Sequence, residues 1–446
     1  MNQSPPVPSI PQGTAYGRKQ PQPNALLTQV GPGTPCGEFM RRYWQPVLTS
    51  DHVTSRPREV RILGEDLVAF RDGEGRPGLL HARCNHRGAS LFWGHVEPDG
   101  IRCCYHGWKF DVEGNCLEQP CEPSGMVNNV AHRQPWYPVR EQYGLLWTYM
   151  GPAEKMPLLP KFDCMEPLEN DESYYALDNS LSAHADMNGP EIVPYSWLNI
   201  NDNCMDPFHA QVLHASFGTT HFVPEFALMP KVKFERIDSG VIYKANRTLD
   251  DGREVVRINT WITPNITSVP NLQLTAGRSN RLTIFVPVDD THTRVLLTIR
   301  VKPDFVGVFG ERGFGTAKPW SEMSIEERQD APGDYEAQSS QGAVSLHSDE
   351  HLATSDIGIV MQRRFLKEQI ERVGKGEDPV GVAFRAGDEI IHVPSGKFFP
   401  LISAPPPGAD CPAFAPSLNC RREAKTLATA RISSHFRPAR RAGVSV

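Results

Sequence analysis

Cys84-Asn85-His86 and, after a gap of sixteen residues, Cys103-Cys104-Tyr105-His106-Gly107-Trp108 decide how this chain is read. Each stretch holds a short Cys/His pair, C-x-H and C-x-x-H, compact enough to be presented by one tight loop. Two thiolates and two imidazoles suit a tetrahedral zinc. They equally suit a [2Fe–2S] cluster in which the thiolates take one iron and the imidazoles the other. Zinc fingers usually pair Cys with Cys and His with His, whereas both pairs here mix the two, which favours the cluster. The gap is about what a strand pair needs to carry the second loop back beside the first. Scattered packing residues are the plainer alternative, since Cys is often a small buried apolar side chain.

The pattern C-x-H…C-x-x-H-G-W closely resembles the Rieske signature. On that resemblance the cluster ligands are Cys84, His86, Cys103 and His106, with Cys103 chosen over Cys104 because it alone gives C-x-x-H with His106. The resemblance also implies that Arg87, Tyr105 and Trp108 shield the cluster, and that backbone hydrogen bonds to its sulfurs tune the potential.

Composition sets outer bounds. With 446 residues and 39% hydrophobic content the chain is long enough for two packed domains. A formal net charge of −6 argues against a general nucleic-acid binder, which carries a basic field. No apolar run reaches the roughly eighteen residues of a transmembrane helix. The first residues, rich in Pro, Gln and Ser, lack the apolar core of a signal peptide. Ten cysteines are too sparse for a disulfide framework, and two are needed reduced as ligands, so a cytoplasmic, reducing location is the simpler reading.

Residues 1–25 read as a flexible arm with prolines at 5, 6, 8, 11, 21 and 23. From 26 to 155, short strands and Gly-rich turns spell a small all-β domain: a short helix over Gly37–Trp44, a hairpin over Arg58–Phe70, and a buried strand Gly144–Met150. A second domain, 156–404, follows a proline-containing linker. Its strands fall at Lys231–Phe234, Val241–Tyr243, Val255–Ile258, Leu282–Val286 and Arg294–Ile299, with Asp250-Asp251-Gly252 as a hairpin turn. This pattern predicts an antiparallel sheet with a helix against it, an α+β class of helix-grip type. Asp304–Gly342 reads as a long irregular lid or contact loop, and Leu352–Val373 as a helix. Residues 405–446 turn Pro-rich and then basic, and read as a disordered tail.

In the second domain, Asn203-x-x-Asp206-x-x-His209-x-x-x-x-His214 carries the chemistry. Asp206 and Pro207 suit a helix N-terminus. Histidines five apart are slightly beyond one α-helical turn, so both rings reach one metal only if the helix ends or distorts there. Alone, such a pair is more often solvated. Together with the upstream motif, the stretch looks like the mononuclear iron site of Rieske non-haem iron oxygenases, in which two imidazoles and a carboxylate leave positions open for O₂ and substrate. The resemblance implies His209 and His214 as ligands, with a distant aspartate as the third. The matching segment His347–Asp356 gives Asp356, with Asp349 and Glu350 as competitors. It also implies that Asp206 bridges a ligand histidine of its own chain to a cluster histidine, His106, of a neighbouring subunit, and hence an oligomer.

The resemblance spans residues 26–400, and within the family Leu26–Pro35, Arg41–Pro46 and Cys103–Phe110 look most like the phthalate 4,5-dioxygenase, chlorobenzoate and phenoxybenzoate dioxygenase group. It implies an oxygenase component carrying one [2Fe–2S] cluster and one mononuclear Fe(II), which cis-dihydroxylates an aromatic carboxylate with O₂. Homotrimers or stacked trimers and an NADH-dependent flavin and iron–sulfur reductase belong to the same implication. The chain has no Rossmann fingerprint of its own with which to take electrons from NADH. One of Arg247, Arg257, Arg278 and Arg281 is expected to clamp the carboxylate. A monooxygenase or O-demethylase of the same architecture, and an electron carrier using only the first domain, are the alternatives.

Overall fold

A computed structural model describes residues 15, 19–123, 131–169, 171–178, 192–217, 227–270, 276–302 and 320–400. Residues 1–401 form one compact unit. The second unit, 402–446, and with it the expected basic tail, lies outside the described residues, as does most of the expected arm.

The first part is built from ten short strands: β1 (Trp44–Thr49), β2 (Arg58–Ile62), β3 (Glu65–Arg71), β4 (Pro77–His81), β5 (His95–Glu97), β6 (Gly100–Arg102), β7 (Lys109–Phe110), β8 (Cys116–Glu118), β9 (Val139–Gln142) and β10 (Leu145–Tyr149). They pair as β1-β10-β9, β2-β3-β4 and the meander β5-β6-β7-β8. The expected hairpin over 58–70 is β2–β3. Its turn residues Leu63 and Gly64 both have positive φ, the conformation that matches strand twist in a tight hairpin. The helix expected over 37–44 is α1–α2 instead (Ala25–Thr28 and Pro35–Met40), because Thr34 caps the amide of Gly37 and the alternation from Trp44 onward belongs to β1. Val68, Phe70, Leu80, Leu91, Ile101 and Phe110 form a small core that also takes in Cys84, Cys103 and Trp108, so the two motif loops stand on packed strands.

The second part is a large sheet, joined by a two-stranded parallel ribbon of β11 (Lys161–Phe162) with β21 (Ile390–Ile391). The sheet runs β12 (Ser173–Asp178), β20 (His292–Val301), β19 (Arg281–Asp289), β17 (Ile266–Ser268), β16 (Glu254–Ile262), β15 (Gly240–Thr248), β14 (Lys231–Ile237). β13 (Ile192–Val193) joins at β20, and β22 (Gly396–Phe398) pairs with both β16 and β18 (Gly277–Arg278). All five expected strands are present, each longer than its apolar run. Two helices lie against this sheet, α3 (Trp197–Asn203) and the C-terminal Ile357–Gly374. The result is the expected α+β class.

One core joins the two parts. Phe39, Trp44, Leu146 and Trp147 cluster with Trp197, Trp261 and Phe365. Trp261 is sealed by an edge contact to Phe365 at 5.7 Å and donates from Nε1 to Asn201 Oδ1 at 3.0 Å. Truncating such a side chain to Ala costs about 3–5 kcal/mol.

Two expectations change. Within Asp304–Gly342 the described portion, from 320, is helical rather than irregular: α4 (Ile325–Asp330) is held by a Ser324–Glu327 capping box, and α5 (Asp334–Ser339) by the Gly333 amide donating to Glu336. The C-terminal helix, α6 (Ile357–Gly374), begins five residues later than Leu352, because a 3₁₀ turn over Thr354–Asp356 precedes it.

Candidate metal centres and active site

The two motif loops are built alike. In the first, the Cys84 amide donates to Ala89 O at 2.8 Å and Gly88 N to Cys84 O at 2.8 Å; in the second, Cys103 N donates to Trp108 O at 2.8 Å and Gly107 N to Cys103 O at 3.1 Å. Gly88 and Gly107 share a φ of +74°. At Gly107 a Cβ would also meet the Pro120 ring at 2.7 Å, so both conformation and space require glycine. Cys84 and Cys103 are buried and neighbour one another, whereas Cys104 is exposed. Burial and the Cys103 sulfur push the Cys84 thiol up to about 12, although the His86 and Arg87 amides pull the other way. The His86 and His106 rings meet edge to face at 4.5 Å. Burial, then the charges of His106 and Arg87, keep His86 below its usual range, which leaves it neutral and ready to ligate. Trp108 stacks flat on His86 at 4.4 Å.

Ligands of one tetrahedral zinc, bound at about 2.0–2.3 Å, converge on one point. Among the described residues, the group of three or more His, Cys, Asp or Glu whose ligand atoms all lie within 4.8 Å is elsewhere, at His209, His214 and Asp334. Sulfur beside sulfur and imidazole beside imidazole suit a [2Fe–2S] cluster, with the thiolates on one iron and the imidazoles on the other.

The second centre grows from the end of α3. Asp206 Oδ1 accepts from the amides of Phe208 at 2.8 Å and His209 at 3.3 Å, the capping role its sequence position implies. The chain then enters a π-helical segment, Ala210–Phe217. In an α-helix a five-residue step would turn His214 about 140° from His209. The i→i+5 repeat of a π-turn instead sets both on one side, with ring centroids 5.1 Å apart.

The carboxylate that meets them is Asp334, the first residue of α5. It lies 3.8 Å from His209 Nε2 and 3.5 Å from His214 Nε2, and accepts from Asn203 Nδ2 at 3.3 Å. Asp356 is not brought to the pair: its carboxylate accepts from the Ala353 amide at 2.7 Å, closing the 3₁₀ turn before α6. Its competitor Glu350 is held by Arg363. The sequence signal for Asp334 is weak, an acidic residue after Pro332-Gly333 in a stretch that reads as loop.

Asp206 stands on the far side of the His209 ring, 3.6 Å from Nδ1. That is the position from which a carboxylate orients a metal-ligating imidazole. Burial works against charge on Asp206, but His209 and the Phe208 and His209 amides outweigh it, so the carboxyl lies below its ordinary range. Burial likewise disfavours charge on His209, yet Asp206 and Asp334 raise its pKa. Two carboxylates around two imidazoles make a site suited to a metal cation, and the two-histidine, one-carboxylate set with an open side fits iron(II). Nearby Cys204 is pushed up strongly by burial, then by Asp334, and stays a thiol rather than a competing ligand.

A cavity of about 200 Å³ opens beside these ligands. Its wall is the sheet face of Tyr243, Ala245 and Arg247 on β15 and Arg257 and Asn259 on β16, alternate residues that share one side. Thr267, Val269, Thr283 and Phe285 continue it, and Gln338 of α5 closes it. Of the four candidate arginines, Arg247 and Arg257 line the cavity. Burial lowers both, Arg247 to about 10, which leaves them cationic at neutral pH. Arg278 is paired with Asp163 at 2.9 Å, and Arg281 donates to the carbonyls of Val269 and Pro270.

Residues 43–138 match the Rieske [2Fe-2S] domain. The chain is 49% identical to the phenoxybenzoate dioxygenase subunit alpha of Ectopseudomonas oleovorans over 387 residues, covering 87% of this chain and 94% of that one. It belongs to the Rieske oxygenase α-subunit family. It is 36% identical to the tert-butanol monooxygenase / tert-amyl alcohol desaturase oxygenase subunit of Aquincola tertiaricarbonis, covering 86% and 85% of the two chains. In fold it matches dicamba monooxygenase bound to dicamba with a TM-score of 0.56 at 18% identity, over 76% of this chain and all of that one. As a family member the protein is an oxidoreductase of the aromatic ring-hydroxylating type, with a [2Fe–2S] cluster and a mononuclear iron as its cofactors. It is the oxygenase component of a multicomponent system and works with a partner reductase, O₂ and an aromatic substrate. No helix among the described residues is long and apolar enough to cross a membrane.

Proposed function

We propose that this oxygenase cis-dihydroxylates a small aromatic carboxylate in aromatic catabolism, with iron held by His209, His214 and Asp334 and the substrate carboxylate held by Arg247 and Arg257. The observation that carries this reading is the cavity itself, which brings the three ligand side chains and two buried guanidinium groups to one space. A hydrocarbon-lined void of about 150 Å³ takes a benzene ring, so about 200 Å³ suits one ring bearing a carboxylate. The 49% identical relative is named for a phenoxybenzoate.

When bound, the cluster supplies electrons one at a time and the iron supplies the site at which O₂ becomes reactive toward an arene. The chain supplies the rest. Arg247 and Arg257 orient the carboxylate by charge-assisted hydrogen bonds, fixing which ring edge faces the ligands. Phe285, Val269 and Ala245 offer the ring an apolar bed and exclude water. Asp206, 3.6 Å from His209 Nδ1, is placed to orient that ring, and across a subunit boundary would do the same for His106 of a neighbour. That bridge calls for a homo-oligomer, trimeric or of stacked trimers.

Cys84, His86, Cys103 and His106 hold the cluster in this reading. Residues 26–155 are the electron-accepting domain, 156–404 the catalytic domain, and 1–25 and 405–446 are arm and tail. An NADH-dependent flavin and iron–sulfur reductase is the proposed donor, and the cytoplasm the proposed compartment.

Oxygen uptake with benzoate, phthalate and phenoxybenzoates, driven by a surrogate reductase in ¹⁸O₂, tests the reading. Two labelled atoms in a diol are expected. A single labelled atom would instead favour monooxygenation, the activity named for the 36% identical relative. Iron near two rather than three per chain would leave only an electron carrier.

A further inference from the structure

Two residues beyond Arg257, on the same face of β16, stands Asn259, which is 1% exposed and lines the cavity. Its Nδ2 donates to Cys204 O at 2.9 Å. A carbonyl only accepts, so this bond orients the amide: the nitrogen is committed and Oδ1 is the end left to accept. That oxygen is buried and has no hydrogen-bond partner among the described residues. Gln338, one helical turn beyond Asp334 on α5, lines the same cavity, and its Oε1 is likewise buried without a partner.

Hydroxyl donors nearby are engaged. Thr267 on β17 gives its proton to Thr260 O at 3.1 Å, and Tyr243, paired with Asn259 across β15, interacts with Arg257. The cavity thus presents cations from Arg247 and Arg257 at one place and an oriented acceptor at another. A buried carbonyl oxygen left unpaired is costly and uncommon in folded proteins. A ligand that brings a donor to it removes that cost, whereas a bare ring edge does not.

We infer that Asn259 Oδ1 accepts a hydrogen bond from a hydroxyl or amino group on the substrate ring, so that the substrate class is a hydroxy- or aminobenzoate. This rests on the reading of Arg247 and Arg257 as the carboxylate clamp. The strand also sets the position of the donor. Residues i and i+2 stand about 7 Å apart, a spacing comparable to the reach from a carboxylate across its benzene ring. The donor therefore sits meta or para to the carboxylate. An ortho hydroxyl lies too near, and it donates to its own carboxylate instead. A site built to pair a ring hydroxyl or amine discriminates against the analogue that lacks it, because the protein acceptor is then left unpaired.

The test uses the iron-loaded holoenzyme, anaerobic and with its cluster oxidised, so that ligands bind without turnover. Calorimetric Kd values at neutral pH are compared for the fluoro-, hydroxy- and aminobenzoates, each as the ortho, meta and para isomer. Fluorine approximates a hydroxyl in size and has no proton to give. At least one meta or para hydroxy or amino acid should bind about 5–150-fold more tightly than its fluoro counterpart, the range for pairing a buried acceptor. Which of the two gains tells hydroxyl from amine, and the ortho hydroxy acid should show no gain. In Asn259→Leu the ratio should fall toward one, and in Gln338→Leu it should persist. The wild-type comparison decides by itself if the variants do not fold. Equal affinities for the fluoro, hydroxy and amino acids overturn this inference and leave the clamp standing. So do a gain confined to the ortho acid and a preference that persists in Asn259→Leu. Absence of binding by every acid overturns the clamp reading and this inference with it.

Discussion

Asp334 Oδ2 lies 3.5 Å from His214 Nε2, although the two residues sit on elements that are far apart in sequence and share no strand. The carboxylate is held there from behind by Asn203, the last residue of α3. The metal site is therefore a junction of three short segments: the end of α3, the π-helical turn and the first turn of α5.

Asp334→Ala should remove the mononuclear iron and leave the cluster. Iron should fall from about three to about two per chain with the visible spectrum intact, and oxygen uptake should fall by at least 10²-fold. Asp356→Ala should keep all the iron and cost only about 1 kcal/mol, the size of a lost helix-start hydrogen bond. Metal analysis beside a thermal melt checks both. Iron loss in the Asp356 variant with retention in the Asp334 variant would reverse the assignment.

Cys103→Ser should bleach the cluster, whereas Cys104→Ser should leave its absorption and EPR signal unchanged. The reason is placement: Cys103 is buried beside Cys84 and Cys104 points to solvent. Spectra of the two purified variants decide.

Removing either cavity arginine should weaken binding of an aromatic acid. A hydrogen bond to a charged group contributes about 1.5–3 kcal/mol, so Arg247→Met or Arg257→Met should raise KM by roughly 10–150-fold. Arg278→Met, which loses a half-exposed pairing to Asp163 and a bond to Val393 O, should leave KM unchanged. Steady-state kinetics with benzoate or a phenoxybenzoate checks the contrast.

The second cluster loop is clamped by Arg102, which donates from Nη1 to Gly107 O at 2.8 Å and is itself held by Glu97 and Glu118. Arg102→Met should speed cluster loss to a chelator several-fold, whereas Arg61→Met on the β2–β3 hairpin should not. Glu97 is lowered chiefly by its bond to Arg102, and Glu118 by Lys109 and then Arg102. With folded pKa values below the unfolded ones, both carboxylates stabilise the loop above their ordinary range of about 4.3. That support disappears as pH falls through the depressed values. Cluster absorbance followed down a pH series should therefore hold to about pH 5 and fail below about pH 4.

Much of the molecule was legible because its signals are local. C-x-H and C-x-x-H mark each loop by themselves, since two side chains two or three residues apart on one turn need no distant partner. Spacing alone favours Cys103 over Cys104, and Cys103 is the one that is buried beside Cys84. Five strands of the ten-stranded sheet announce themselves by alternation between a packed and a solvated face. The His209–His214 spacing was readable as a pair that required a distorted helix, and the π-turn supplies that distortion.

Other features have no local signature. A carboxylate opening a short helix after Pro332-Gly333 looks in sequence like any capped helix start, and Asp356 fits that description equally well. Only the packing of α5 against α3 decides which one reaches the histidines. The same holds for the arginines. Arg247, Arg257, Arg278 and Arg281 are equivalent as strand residues in the chain, and tertiary packing brings two to the cavity, one to Asp163 and one to the carbonyls of Val269 and Pro270. The amino-acid sequence determined the cluster loops, the histidine pair and the strands, because short-range spacing and side-chain periodicity act within a few residues. The carboxylate that meets the histidines and the cations of the cavity were decided by tertiary structure, because each depends on which distant segment is brought opposite, and that is set by sheet register and core packing.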